Sequence, residues 1–108
     1  MELNELYLKD ESTNPSASFK DRASFVGIAM MRELKKERIA CASTGNAASS
    51  LACLSASLGI KPVIFIPQTA PMGKIAQLIA FGAEVFKLKA PYDDVFDFCT
   101  KACEKYGW

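Results

Sequence analysis

Three short apolar runs set the strongest limit on how this chain can fold. They are "IACAS" (39–43), "PVIFIP" (62–67) and "EVFKLK" (84–89), and each is followed by a stretch with helical spacing. None alternates apolar and polar residues along its whole length, as a half-exposed strand does. A continuous run of this kind suits a strand covered on both faces, which means a parallel sheet with helices on each side. The stretches after them predict helices over 47–58, 72–81 and 92–106. In the last, Val95, Phe98, Cys99, Ala102, Cys103 and Tyr106 step by three, one, three, one and three. Gly59 and Gly82 stand where a helix closes before the next strand. With right-handed crossovers the expectation is an α/β fold, a three-layer sandwich with a short parallel sheet flanked by helices.

Upstream, "ELYLK" (5–9) alternates and predicts a short half-exposed strand, and "DESTNPSAS" reads as a polar loop. A longer helix is predicted from about Phe19 to Glu37, with Phe25, Val26, Ala29, Met30 and Leu34 on one broad apolar face. No solenoid period and no Pro/Gly/Ser linker interrupts the chain, so residues 1–108 read as one α/β domain. The chain stops at "EKYGW" straight after its last helix, which for a parallel α/β enzyme suggests one piece of a larger protein.

Charge and cysteine content remove several function classes. Thirteen basic and twelve acidic residues give a net charge of +1, with no footprint for nucleic acid or an anionic membrane. No apolar run approaches the roughly 18 residues that span a bilayer, and the acidic amino terminus lacks a secretory pattern, so a cytoplasmic location is expected. There is no histidine. The spacing of Cys41, Cys53, Cys99 and Cys103 does not support a four-cysteine metal site, and reduced, buried thiols are expected instead.

Two helix starts carry the chemistry. In "NPSASFKDRA" (14–23), Ser18 is placed to cap a helix, with Asp21 three residues on. Lys20 then sits in the first turn, where a cation opposes the helix dipole. Unpaired backbone N–H groups and Arg22 nearby would lower its pKa, as a covalent amine nucleophile requires, although a solvated surface lysine satisfies the same spacing. In "ASTGNAASSLA" (42–52) a strand turns into a helix through Ser43, Thr44, Gly45 and Asn46. Such a loop lies at the carboxyl end of a strand, where open α/β sheets bind ligands. Its backbone N–H groups can receive an anion, or Asn46 can simply cap the helix.

Together with "LYLKDE" and "KPVIFIPQTAPMGKIAQLIAFGAEVFKL", these two motifs closely resemble the threonine synthases, pyridoxal-phosphate enzymes of the tryptophan synthase β type. The likeness runs from Leu6 to about Asp94, and its fold is similar to the smaller N-terminal domain of that group. The resemblance implies that Lys20 carries the cofactor covalently, that Asn46 hydrogen-bonds its 3′ oxygen, and that Phe19 packs nearby. It implies that Ser43, Thr44, Gly45 and Ala47 receive the substrate's α-carboxylate, while Asp21 and Arg22 brace the helix start. Ala23 departs from the glycine that the family carries there. The implied reaction converts O-phospho-L-homoserine and water to L-threonine and phosphate.

The family's glycine-rich phosphate turn and its partner for the ring nitrogen lie far downstream and have no counterpart here, so the implied cofactor site is incomplete. Two alternatives stay open: a related lyase such as a threonine dehydratase or cysteine synthase, and a non-catalytic α/β module. Apolar residues that a missing domain would cover, among them Phe25, Met30 and Met31, are expected to be exposed and to favour self-association.

Overall fold

The structure is a computed structural model and describes residues 4–108. Its elements in chain order are α1 (Lys20–Glu33), β1 (Ala40–Ala42), α2 (Asn46–Ser57), β2 (Val63–Pro67), α3 (Met72–Ala80), β3 (Glu84–Leu88) and α4 (Tyr92–Tyr106). The three strands form one parallel sheet in the order β1-β2-β3, with Cys41 opposite Ile64 and Ile64 opposite Val85.

The central strand explains its own sequence. Ile64 and Ile66 point to one face, where they pack with Ile28 of α1, Ala48, Leu51 and Leu54 of α2, and Ile75 and Leu78 of α3. Val63 and Phe65 point to the other face and pack against Val95, Cys99 and Ala102 of α4. Both faces of β2 are dry, so no position in "VIFI" can be polar. The result is the expected three-layer sandwich, with α1, α2 and α3 in one layer and α4 alone in the other.

Helix ends follow the glycines. Gly59 and Gly82 have φ of +68° and +79°, the left-handed region that a Cβ disfavours. At the first, Gly59 N–H donates to Ala56 and Ile60 N–H to Ser55; at the second, Gly82 donates to Ile79 and Ala83 to Leu78. This is a Schellman pair used twice, each time just before a strand.

Three expectations are corrected. Residues 5–9 form no strand: Leu6, Tyr7 and Leu8 are exposed, and no neighbouring chain segment offers backbone partners among the described residues. Helix α1 stops at Glu33, because Lys35 turns left-handed (φ +53°) and Lys36 N–H closes back on Met31. Its apolar face is also turned outward. Phe25 and Leu34 are 50% and 58% exposed, while Asp21, Ser24, Ile28 and Met31 are buried. Phe25 and Met30 are therefore exposed as expected and Met31 is not. Along α4, Val95, Cys99 and Ala102 are buried, whereas Phe98 and Tyr106 stay about half exposed.

Candidate functional site

Both motif helices start at the carboxyl edge of the sheet. Helix α2 leaves directly from the end of β1, and α1 runs in the same direction beside it, reaching the amino end of β1 through residues 34–39. They are held side by side by a buried polar network. The Asp21 carboxylate is 1% exposed. It accepts hydrogen bonds from the backbone N–H and hydroxyl of Ser16 and from the hydroxyl of Ser50, in the second turn of α2. Ser50 in turn accepts from Ser24 at 2.8 Å. Burial pushes the Asp21 carboxyl up, but these donors outweigh it and hold it below the usual carboxylate value.

The entry to α1 is stapled a second time. Arg22 grips Glu11 through two guanidinium nitrogens at 2.9–3.1 Å. The Asn14 amide donates to Glu11 at 2.6 Å and to the Ser18 carbonyl at 3.1 Å. Hydrogen bonds from Arg22 and Asn14 hold the Glu11 carboxyl down at about 2. Asp21 and Arg22 thus brace the helix start. The capping-box pairing is corrected, however: Asp21 reaches back to Ser16 and not to Ser18. Phe19 already has helical angles (φ −62°, ψ −15°). Ser18, buried, accepts from Lys20 N–H at 3.2 Å, as an N-cap hydroxyl does.

Lys20 is half-buried on this braced turn, with its ammonium 5.0 Å from the centre of the exposed Phe19 ring. Among the described residues it makes no salt bridge. A lone, half-buried amine on a rigid turn remains available to a carbonyl compound.

In the second motif, Ser43, Thr44, Gly45 and Ala47 are half-buried and Asn46 is exposed. Ser43 Oγ accepts from Gly45 N–H at 3.2 Å, and Tyr92 of α4 donates its hydroxyl to the Ala42 carbonyl at 3.1 Å. These two bonds fix the strand-to-helix turn from both sides. Helix α2 has no side-chain cap, so Asn46 does not serve as one. The N–H groups of Asn46, Ala47 and Ala48 have no acceptor among the described residues, and the first intrahelical bond comes from Ser49 to Gly45.

Gly45 has φ −112°, which other residues adopt, and a Cβ there would meet nothing within 4 Å. Neither backbone nor packing within the chain calls for a glycine. The open approach to three unpaired N–H groups fits an anionic or carbonyl oxygen coming close to the backbone. Amine, amide and N–H cradle therefore match the donor set that an aldehyde cofactor and an α-carboxylate need.

The structure brings the two helix starts together, while two grooves lie elsewhere. Grooves of about 250 Å³ and 300 Å³ are lined by neither Lys20 nor Asn46. Sequence reading missed the Asp21–Ser50–Ser24 network, although two adjacent serines inside an apolar helix were a signal. It also missed Tyr92, which nothing in the sequence links to Ala42. The thiols are free, and burial pushes Cys41 and Cys99 up to about 12, which leaves them inert. Among the described residues no cluster could hold a metal ion, and no helix is long and apolar enough to cross a membrane.

Residues 2–108 match the family described as pyridoxal-phosphate dependent enzyme. The chain is 44% identical over 104 residues to a threonine synthase of Methanocaldococcus jannaschii, covering 95% of this chain and 26% of that protein. It is 38% identical to the threonine synthase of Methanosarcina acetivorans over the same shares. Its fold is similar to that of threonine deaminase isoform 2 from Solanum lycopersicum, with a TM-score of 0.79 and 28% identity, over 92% of this chain and 28% of that one. The chain thus spans about a quarter of the length of the curated relatives it matches.

Proposed function

The chain belongs to the pyridoxal-phosphate-dependent enzymes, and from that premise we propose that it is the lysine-bearing part of a threonine synthase. The reading is supported by the identity to curated threonine synthases. The observation that carries it is the hydrogen bond from Ser50 to Asp21, which joins the Lys20 helix to the Asn46 helix.

In this reading Lys20 holds the cofactor and, once displaced by the substrate amine, moves protons at the substrate's Cα and Cβ. Asn46 donates its amide to the cofactor's ring oxygen. The N–H groups of Asn46 and Ala47, with Ser43 and Thr44, receive the α-carboxylate, and Gly45 lets it approach. Phe19, whose ring centre lies 5.0 Å from the Lys20 ammonium, packs near the cofactor. The bound cofactor supplies an electron sink for the carbanion formed on the substrate. The net change is loss of phosphate from the γ-carbon of O-phospho-L-homoserine and addition of water at Cβ to give threonine. Turnover belongs to a polypeptide of the relatives' length, because the donors described here hold only part of the cofactor.

Borohydride reduction in the presence of pyridoxal phosphate, followed by peptide mapping, tests the lysine. In a polypeptide of the relatives' length the label is expected on Lys20 and is lost in Lys20→Ala, with threonine formation lost alongside. Label on other lysines alone would overturn the reading.

A further inference from the structure

Helix α4 packs over β1 and β2 and leaves much of β3 bare on the same face, where Phe86 stays 42% exposed. Between α4 and β3 lies a groove of about 300 Å³, at the lower end of the range for small-ligand pockets. One end of it is aromatic. Phe86 stacks on Phe65 with ring centres 5.5 Å apart, and Phe98 meets Phe65 edge-on at 5.4 Å. The other end is charged. Arg38, from the segment before β1, reaches past β2 and donates to Glu84 of β3 at 2.6 Å. Ala102 and Tyr106 of α4 complete the wall together with Trp108, whose ring lies 5.9 Å from the Arg38 guanidinium.

The ion pair leaves bonding capacity open. Only Nη1 of Arg38 and Oε2 of Glu84 take part in it, and the other guanidinium N–H groups and Glu84 Oε1 have no partner among the described residues. Both side chains are about two-fifths exposed, and an ion pair so exposed adds little to stability. Charge and shape together select the occupant. An uncharged apolar molecule would leave the pair unused, a simple anion would face the Glu84 carboxylate, and a simple cation would face Arg38. A carboxylate and an ammonium on one carbon satisfy both without breaking the existing bond. A large apolar group on that same carbon then fills the aromatic end.

We propose that the groove between α4 and β3 is a binding site for a free α-amino acid with a large apolar side chain. Its carboxylate accepts from the unused N–H groups of Arg38, its ammonium donates to Glu84 Oε1, and its side chain lies among Phe65, Phe86 and Phe98. The site stands at the amino end of the strands, because Arg38 precedes β1 and Glu84 begins β3. Lys20 and residues 43–47 stand at the carboxyl end. An amino acid held here therefore does not occupy the place of the substrate, and the proposal stands or falls separately from the cofactor reading.

Trp108 is the one tryptophan of the chain and lines the groove, so its emission reports the test directly. L-phenylalanine is titrated into the 108-residue chain, beside N-acetyl-L-phenylalanine, which lacks the ammonium, and L-phenylalaninamide, which lacks the carboxylate. A saturable change is expected with L-phenylalanine, and each derivative should bind about tenfold more weakly, the loss of one charge-assisted hydrogen bond. Glu84→Gln should bind the acetylated form as well as the parent amino acid, and Arg38→Gln should do the same for the amide. If those variants unfold, Phe86→Ala, which leaves the ion pair in place, should weaken L-phenylalanine about fivefold. The absence of a saturable change would overturn the proposal, as would derivatives that bind as tightly as L-phenylalanine. Binding lost in Lys20→Ala or Asn46→Ala would put the amino acid at the other end of the sheet and overturn it too. So would an emission change that depends on protein concentration without ligand, which would make a second copy the occupant.

Discussion

Replacing Ser50 with alanine tests whether a hydrogen bond, and not apolar contact, sets how α1 lies on α2. Ser50 is fully buried, and its one hydroxyl proton goes to Asp21 while its oxygen accepts from Ser24. The substitution removes a hydrogen bond to a buried carboxylate, about 1.5–3 kcal/mol, and strands the Ser24 hydroxyl at roughly 1 kcal/mol more. Asp21 keeps its two donors from Ser16, so its charge is not left bare and the total loss stays at about 2.5–4 kcal/mol. Ser24→Ala, which removes only the neutral end of the relay, should cost about 1 kcal/mol.

Urea unfolding of the 108-residue chain measures each variant, with Asp21→Ala and the Asp21→Ala/Ser50→Ala pair closing a double-mutant cycle. The expected coupling is about 1.5 kcal/mol or more. A loss below about 0.5 kcal/mol for Ser50→Ala, or a coupling indistinguishable from zero, would refute the claim that this network aligns the two motif helices. Because its donors hold the Asp21 carboxyl low, the contribution is present at neutral pH. It fades as pH falls below the usual carboxylate range.

The remaining predictions concern the same corner of the molecule. Ala17 sits at φ +56°, where a Cβ costs about 1–2 kcal/mol, so Ala17→Gly should raise stability by about 1 kcal/mol in the same urea assay. Glu11, at an ordinary value of 4.5 in the unfolded chain, is held at about 2 in the fold. The depressed group stabilises above pH 4.5 and its contribution is lost as pH falls toward about 2. Acid titration followed by circular dichroism should therefore show an acid-sensitive component that Glu11→Gln removes. Asn46→Ala should change stability by less than the ~1 kcal/mol typical of a lost cap, because Asn46 caps nothing. In a relative-length polypeptide it should weaken pyridoxal phosphate binding, measured by titrating the cofactor's absorbance.

Sequence alone determined the layer architecture. A run such as "VIFI" has no residue that tolerates water, so it demands cover on both faces whatever surrounds it. Gly59 and Gly82 marked helix ends because left-handed backbone disfavours other residues there. The two motif turns were legible for the same reason, since glycine, serine and asparagine at a strand-to-helix junction act through backbone within a few residues.

Tertiary structure decided what depended on distant partners. Counting apolar residues favoured the Phe25 face of α1, yet Asp21 and Ser24 went inward, because Ser50, more than twenty residues away, supplied the hydrogen bonds that make burying them favourable. The alternation of residues 5–9 specified a strand, but a strand exists only beside another, and that neighbour is not written in its own pattern. Periodicity records which side of an element can be buried. Which neighbour buries it is a property of the assembled chain.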